Sequence, residues 1–278
     1  MQMNCAWKEL LSILPSWLAQ EVDKCGKDSL QELRLRLGQP PQLIHGNCVT
    51  WLHRVIRQDD LNYCVNTASR YSPWSAQSVG QGYITAQGGH RIGICGSVVM
   101  QGGEMTGIRT VRSLCIRVAR DFPGLAQKYR NYTGSILVIG PPGSGKTTLL
   151  RDLIRQLSLK ETVSVVDERC ELFPEGNFSS GKAIDILSGC PKASGIETLL
   201  RTMGPDTIAV DEITAEADCN ALIKAGWCGV RLVATAHAAT ISDLHTRTLY
   251  KPLLERNLFR HVLVMNRDKT LLEERMIP

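Results

Sequence analysis

Residues 135–157 read SILVIGPPGSGKTTLLRDLIRQL. An apolar run of strand length, residues 136–139, leads into a glycine-rich turn, and a stretch with apolar residues at helical spacing follows it. The turn, residues 140–147, matches the pattern GxxxxGK[ST] in full. Because this pattern stands between a strand and a helix, it predicts a phosphate-binding loop rather than a chance glycine-rich turn.

The chemistry of such a loop explains each residue type in it. The glycines allow backbone N–H groups to surround a phosphate, and the N-terminus of the following helix adds a favourable dipole. Lys146 is predicted to bind the β- and γ-phosphates of a nucleotide, and the Thr147 hydroxyl is predicted to ligate Mg²⁺. The predicted nucleotide-binding set is Gly140, Pro141, Pro142, Gly143, Ser144, Gly145, Lys146, Thr147 and Thr148.

A second apolar run, TIAVDE at residues 207–212, ends in two carboxylates. Asp211 is predicted to hold the Mg²⁺ shell, and Glu212 to orient or deprotonate the attacking water. A DE pair after a strand means little by itself. Together with the glycine-rich loop it predicts a nucleotide-hydrolysing site.

Two further strand ends carry polar residues. VVDERCE, residues 165–171, supplies three more carboxylates, which would raise one another's pKa unless cations offset them, so the site is expected to include arginine. The alternative is a solvated loop whose charges Arg169 satisfies. RLVATAH ends at His237, which could contact a γ-phosphate or could be a buried structural histidine.

Four apolar runs with helical stretches between them follow residue 134, and they predict a doubly wound α/β domain with a mostly parallel sheet over residues 134–278. FRHVLVMN and TLLEERMI near the end predict an antiparallel hairpin. Residues 1–133 instead contain short alternating strands and glycine-rich turns, which predict a mixed α+β domain.

The basic residues concentrate in the first half of the chain. Residues 1–133 hold 15 Lys and Arg against 9 Asp and Glu, whereas residues 134–278 hold 17 against 18. Arg112 and Arg117 are candidates for arginine fingers that reach phosphates. A solvated stripe, a membrane surface or a nucleic-acid surface remains an alternative, although no aromatic residues interleave the arginines as a base-stacking surface would need.

Composition excludes several other classes of protein. No apolar run approaches the roughly 18 residues of a transmembrane helix, and the first residues lack the order of a signal peptide. The ten cysteines include no CxxC pair, which argues against a zinc site or a disulfide framework and favours reduced thiols in a cytosolic protein.

These blocks together resemble a known family. LLRTMGPDTIAVDEI, VVDERCE and ATAHA are similar to the Walker B, aspartate-box and histidine-box regions of the ATPases of type II and type IV secretion and pilus machines. GYITAQGGHRIGICG, SLCIRVAR, the glycine-rich loop, the triplet Cys190-Pro191-Lys192 and GVRLVATAHA resemble the stage III sporulation protein AA family over nearly the whole chain.

The resemblance implies a RecA-like ATPase domain and a homohexameric ring, with nucleotide between the N-terminal and motor domains. It implies a cytoplasmic protein on the mother-cell side of the forespore, peripheral to the membrane through partners, that energises a channel built from membrane proteins. Catalytic or supporting roles are implied for Glu212, Lys146, Glu168 and His237, and less directly for Arg112 and Arg117.

Three functions therefore follow from the sequence. The first is an ATP-hydrolysing motor of a sporulation-specific channel, which Glu212 at the position of a base favours. The second is an ATP-dependent assembly switch with little turnover. The third is a nucleic-acid-stimulated ATPase that uses the basic first half, for which binding should weaken steeply with salt.

Overall fold

The chain was described with a computed structural model, which defines residues 3–46, 48–69, 82–174 and 178–276. By the packing of its backbone the chain divides into two compact units. The N-terminal unit comprises Met3–Asp121 together with Pro174–Phe178, and the C-terminal unit comprises Phe122–Phe173 and the chain from Ser179 onwards.

The N-terminal unit is an antiparallel sheet with helices. Its helices are α1 (Trp7–Ser12), α2 (Ser16–Cys25) and α3 (Gln58–Ser69). Its strands are β1 (Glu32–Arg36), β2 (Gln42–His45), β3 (Cys48–Trp51), β4 (Tyr83–Thr85), β5 (Arg91–Gln101) and β6 (Glu104–Arg117), in the order β3-β2-β1-β6-β5-β4. Every pairing between them is antiparallel.

Alternation along these strands builds the core of the N-terminal unit. Leu33 and Leu35 of β1 are fully buried, and Leu10 and Leu18 of the first two helices pack in the same apolar cluster. The apolar residues of α1 and α2 therefore serve core packing. The region predicted as separate short strands is instead one long hairpin, because β6 already begins at Glu104 after a turn at Gly102 and Gly103.

The C-terminal unit is built on a mostly parallel sheet. Its strands are β7 (Ile136–Ile139), β8 (Val163–Asp167), β9 (Ile184–Ser188), β10 (Thr207–Val210), β11 (Arg231–Ala236), β12 (His261–Met265) and β13 (Leu271–Met276). Their order is β13-β12-β7-β11-β10-β8-β9, and only the terminal pair β12–β13 is antiparallel among the described strands. The predicted terminal hairpin is thus confirmed.

Helices cover both faces of this sheet. They are α4 (Lys146–Leu157), α5 (Lys192–Thr202), α6 (Glu216–Trp227), α7 (Ile241–Thr246) and α8 (Lys251–Glu255). Alternate residues of β7 belong to different apolar clusters: Ile136 and Val138 pack with α4, while Leu137 and Ile139 pack with α5 and α6. A strand buried on both faces explains the continuous apolar run in its sequence.

The strand order determines where the polar strand ends meet. The chain leaves β7 towards β8 on one side of the sheet, and it later returns to place β12 on the other side of β7. In open parallel sheets such a reversal opens a crevice at the carboxyl ends of the strands. The predicted phosphate loop follows β7 at this edge.

Residues 122–133 pack with the C-terminal unit. The carboxylate of Asp152, 1% exposed, accepts hydrogen bonds from the backbone N–H groups of Gly124 at 3.0 Å and Ala126 at 2.7 Å. Tyr129 is buried in the cluster that surrounds α4. The domain boundary between residues 133 and 134 remains a prediction, and so do the two domains that it defines, residues 1–133 and 134–278. The sequence also predicts a polar helix around residues 61–71; the structure has α3 over Gln58–Ser69, and Tyr71 lies outside the described residues.

We expect Asp152→Ala to lower the free energy of unfolding by about 3 kcal/mol, because it leaves two amides without a charged acceptor. Urea titration monitored by circular dichroism measures the loss. Asp28→Ala, which removes an exposed carboxylate, serves as the control and should change the free energy by less than about 0.5 kcal/mol. Equal stability of the two variants would contradict a structural role for Asp152.

Candidate functional site

The glycine-rich loop has the backbone that a phosphate-binding loop needs. Gly145 has φ +91°, a left-handed conformation in which a side chain is strained, and it precedes the first residue of α4. At Gly140 a Cβ atom would lie 2.7 Å from the carbonyl oxygen of Met265 and 2.6 Å from Ser144 Oγ. Glycine is therefore required at both positions for the chain to turn tightly at the end of β7.

Lys146 folds back over this loop. Its Nζ donates to the carbonyl oxygens of Gly140 at 2.9 Å and Pro141 at 3.0 Å, and it lies 3.2 Å from His237 Nδ1. Burial lowers the pKa of Lys146 below its ordinary value, against the opposing effect of Asp211 and Glu212. The ammonium group is thus held at the carboxyl edge of the sheet, among the predicted catalytic residues.

Asp211 connects the loop to two neighbouring strands. Its Oδ2 accepts a hydrogen bond from Thr147 Oγ1 at 2.7 Å, and its Oδ1 accepts one from Thr235 Oγ1 at 2.5 Å. The two predicted metal ligands, Thr147 and Asp211, are therefore in direct contact. Hydroxyl and carboxylate oxygens are ligands that suit Mg²⁺.

Glu212 has an unusual backbone conformation, and each oxygen of its carboxylate has a hydrogen-bond partner. Its φ is +58°, uncommon for a residue with a side chain and frequent at functional sites, and its N–H donates to Thr235 Oγ1 at 2.7 Å. One carboxylate oxygen is hydrogen-bonded to His237 Nε2, and the other accepts from Arg169 Nη1 at 2.8 Å.

The charges around Glu212 determine its ionisation. Burial by itself would raise the pKa of Glu212, but the hydrogen bond from His237 and the charges of Arg169 and Lys146 outweigh it and lower the pKa below the ordinary value. The carboxylate is therefore ionised at neutral pH. The arginine that the sequence called for beside these carboxylates is Arg169.

Lys146, His237 and Glu212 form a continuous hydrogen-bonded chain. A lysine ammonium can only donate, so His237 accepts at Nδ1 and carries its proton on Nε2, from which it donates to Glu212. The histidine is therefore placed between the phosphate-loop lysine and the predicted base. This contact favours the functional interpretation of His237 over a purely structural one.

Asp167 has a structural role in the acidic stretch. Its carboxylate, 2% exposed, accepts from the N–H groups of Glu171 at 2.8 Å, Leu172 at 2.9 Å and Phe173 at 3.1 Å. Burial raises the pKa of Asp167 to about 6, with Asp211 adding to the rise and the backbone hydrogen bonds opposing it. The start of the turn after β8 is thus held by the last residue of that strand.

Glu168 pairs with a lysine that the sequence had not identified as functional. Its Oε2 contacts Nζ of Lys192, the first residue of α5. Both side chains line a small cavity at the carboxyl edge of the sheet, together with Arg169, Asp211 and Glu212. The triplet Cys190-Pro191-Lys192 contributed to the family resemblance, but nothing in its pattern indicated that the lysine would lie beside carboxylates.

Tyr250 is a second residue that sequence analysis missed. It lies in a 3-10 turn, Thr248–Tyr250, and is 3% exposed. Its hydroxyl accepts from the N–H of His237 at 3.3 Å and donates to the carbonyl oxygen of Ile213 at 3.2 Å. It therefore connects the backbone next to Glu212 with the backbone of His237. No local pattern marks it.

The predicted arginine fingers belong to the N-terminal unit. Arg117 Nε lies 3.6 Å from Glu32 Oε2, and its side chain is 64% exposed. Arg112 is the extra residue of a β-bulge opposite Cys95 and Gly96, and it is exposed. Their role as fingers stays a prediction. Arg120 is instead structural, since its Nη2 donates to the carbonyl oxygens of Lys27 and Leu30.

Within the described ranges, no group of three or more His, Cys, Asp or Glu side chains is arranged to hold a metal ion. Among the same residues, no helix has the length and apolar character needed to span a bilayer. All ten cysteines are free thiols.

Comparison with known proteins shows the family to which the chain belongs. Residues 8–275 match the family described as "Sporulation stage III, protein AA". Stage III sporulation protein AA of Bacillus subtilis is 34% identical over 94% of this chain and 91% of its own length. The chain belongs to the stage III sporulation protein AA family. The family resemblance drawn from the sequence motifs is confirmed.

Solved structures confirm the fold class. The ATPase DotB of Legionella pneumophila superimposes with a TM-score of 0.57 at 16% identity, covering 93% of this chain and 79% of that one. The pilus retraction motor PilT, crystallised with ADP, gives a TM-score of 0.60 at 15% identity, covering 89% and 76%. This chain thus has the RecA-like fold of these secretion and pilus ATPases.

We expect Thr235→Val to destabilise the C-terminal unit by about 2 kcal/mol, because it leaves an Asp211 oxygen and the Glu212 N–H without a partner. Thr235→Ser retains the hydroxyl and serves as the matched control. Urea unfolding of the three proteins compares them. A Val variant as stable as the Ser variant would show that the hydroxyl does not hold Asp211 and Glu212 in place.

Proposed function

We propose that this protein is an ATP-hydrolysing motor of the secretion-ATPase type. The observation that carries the proposal is the convergence of Lys146, Asp211, Glu212 and His237 at one edge of the sheet. Family membership and the shared fold support the same conclusion. Phosphoryl transfer needs a phosphate cradle, a metal site and a group that orients water, and these residues provide all three.

ATP would bind at the glycine-rich loop, Gly140–Thr148. Backbone N–H groups at the start of α4 and the Lys146 ammonium would hold its phosphates. Thr147 and Asp211 would hold Mg²⁺, and their oxygens already lie 2.7 Å apart. A bound Mg²⁺ would neutralise the negative charge that develops on the phosphate oxygens.

Glu212 would act as the base or orienting group for the attacking water. Its low pKa keeps it ionised, but both of its oxygens are engaged by His237 and Arg169. Each oxygen keeps a second lone pair for water, and opening either contact would make the carboxylate a stronger base. Because His237 also contacts Lys146, phosphates that draw Lys146 away would change the hydrogen bonding of His237 and release Glu212.

The family supports the wider role that the sequence implied. We propose a homohexameric ring that energises a sporulation-specific channel from the mother-cell side, through contact with membrane-embedded channel proteins. In that assembly Glu168 and His237 would support catalysis. Arg112 and Arg117, exposed in the N-terminal unit, would reach phosphates as fingers.

An assembly switch with little turnover is the second candidate. The engagement of both Glu212 oxygens favours it, because a base that stays bound to His237 and Arg169 would let ATP bind without rapid hydrolysis. The two candidates differ in turnover and not in ATP binding.

The test is Mg-ATP turnover across a range of protein concentrations for wild type, Glu212→Gln and Lys146→Ala. Glu212→Gln removes the base, so it should lower kcat by at least about 100-fold while ATP still binds. Lys146→Ala should weaken ATP binding itself, and chelation of Mg²⁺ should abolish turnover in all proteins. Turnover per subunit that rises with concentration indicates catalysis in an assembled ring.

Glu216→Gln is the matched control, since it neutralises an exposed carboxylate in the first turn of α6. It should retain wild-type turnover. Tight ATP binding with negligible turnover at every concentration would instead support the assembly switch. Normal hydrolysis by Lys146→Ala would refute both candidates.

A further inference from the structure

Lys192 is a buried lysine surrounded by carboxylates. Its side chain is only 5% exposed. Its ammonium contacts Glu168 Oε2 and lies 3.8 Å from Asp218 Oδ2. Lysine is almost never buried this completely unless it is paired, so these two carboxylates are what keeps its charge in the interior.

Asp218 extends this contact to the backbone that follows the base. Its Oδ2 accepts hydrogen bonds from the N–H groups of Thr214 at 3.0 Å and Ala215 at 3.1 Å, two and three residues beyond Glu212. Asp218 is 6% exposed and lies in the first turn of α6. Lys192 therefore connects the turn after β8 with the turn after β10, the two turns that carry Glu168 and Glu212.

Glu168 is oriented by this contact. One of its oxygens is on Lys192, and among the described residues the other oxygen has no hydrogen-bond partner. The same cavity is lined by Asp211 and Glu212. A carboxylate held at one oxygen presents the other in a defined direction, which a freely rotating glutamate would not do.

We propose that Lys192 is a positioning residue for hydrolysis: it acts through Glu168, whose second carboxylate oxygen it directs into the cavity shared with Asp211 and Glu212. The inference rests on the proposed ATPase function. Arg169 has the corresponding contact with Glu212, but its side chain is 44% exposed and can move when ligand binds. Lys192 is enclosed and keeps one position.

The test compares kcat and KM for Mg-ATP in Lys192→Met, Glu168→Gln and the double variant. Methionine keeps the length of the side chain and removes the charge. A misplaced catalytic group costs about 100-fold in kcat, so we expect that loss in Lys192→Met, with KM changed by less than about 3-fold. Because Lys192 acts through Glu168, the double variant should be no slower than Glu168→Gln within about 3-fold.

Lys224→Met is the matched control. Lys224 of α6 pairs with Glu197 of α5 at 2.8 Å, so it joins the same two helices, but its side chain is 60% exposed and lies away from the cavity. Its kcat should equal that of wild type. Thermal melting of each protein verifies folding. If Lys192→Met does not fold, Lys192→Met/Asp218→Asn removes both buried charges and takes its place in the comparison with Glu168→Gln.

The outcomes separate this inference from the proposed function. A kcat for Lys192→Met within about 3-fold of wild type would overturn the positioning role, as would losses that multiply in the double variant. In either case turnover by wild type and its loss in Glu212→Gln would leave the ATPase function standing. A wild-type protein without turnover, alone and at high concentration, would overturn both.

Discussion

The carboxylate of Asp211 is the point on which the arrangement of the site depends. It accepts one hydroxyl from the helix that follows the phosphate loop, Thr147, and another from the neighbouring strand β11, Thr235. The Thr235 hydroxyl also receives the N–H of Glu212 and so holds that residue in its left-handed conformation. Three separate chain segments are thereby fixed to one another through two hydrogen bonds to one carboxylate. Hydrogen bonds to a charged group are stronger than those between neutral groups.

Charge balance is the second constraint on this edge of the sheet. Carboxylates that line a common cavity disfavour one another's ionisation, and three of those lining this cavity have separate partners that oppose the effect. Arg169 and His237 engage Glu212, Lys192 engages Glu168, and backbone amides engage Asp167. Under the proposed function, a cavity balanced in this way would accept phosphates and a divalent cation by exchanging contacts, without creating an unpaired buried charge.

The strands of the two units differ in how directly they can be recognised from the sequence. In the C-terminal unit β7, β8 and β10 are buried along their entire length, so their apolar runs identify parallel strands directly. In the N-terminal unit β1 alternates between buried and half-buried residues, which identifies a strand but not its neighbours. The first half of β6 is hard to recognise in the sequence, because it contains glycine and threonine and because Met105, Thr106, Arg109 and Thr110 are exposed.

The sequence by itself determined the phosphate loop, the two acidic strand ends, the α/β class and the family, because each is a local pattern of residue types along a strand, a turn or a helix start. It also predicted an arginine beside the acidic residues, and Arg169 contacts Glu212. Only the tertiary structure decided that Lys192 meets Glu168 and that Tyr250 joins Ile213 to His237. Lys192 and Glu168 are 24 residues apart in the sequence, and Tyr250 is 37 residues from Ile213 and 13 from His237. These residues meet because parallel strands separated by crossover helices bring distant strand ends to one edge of the sheet.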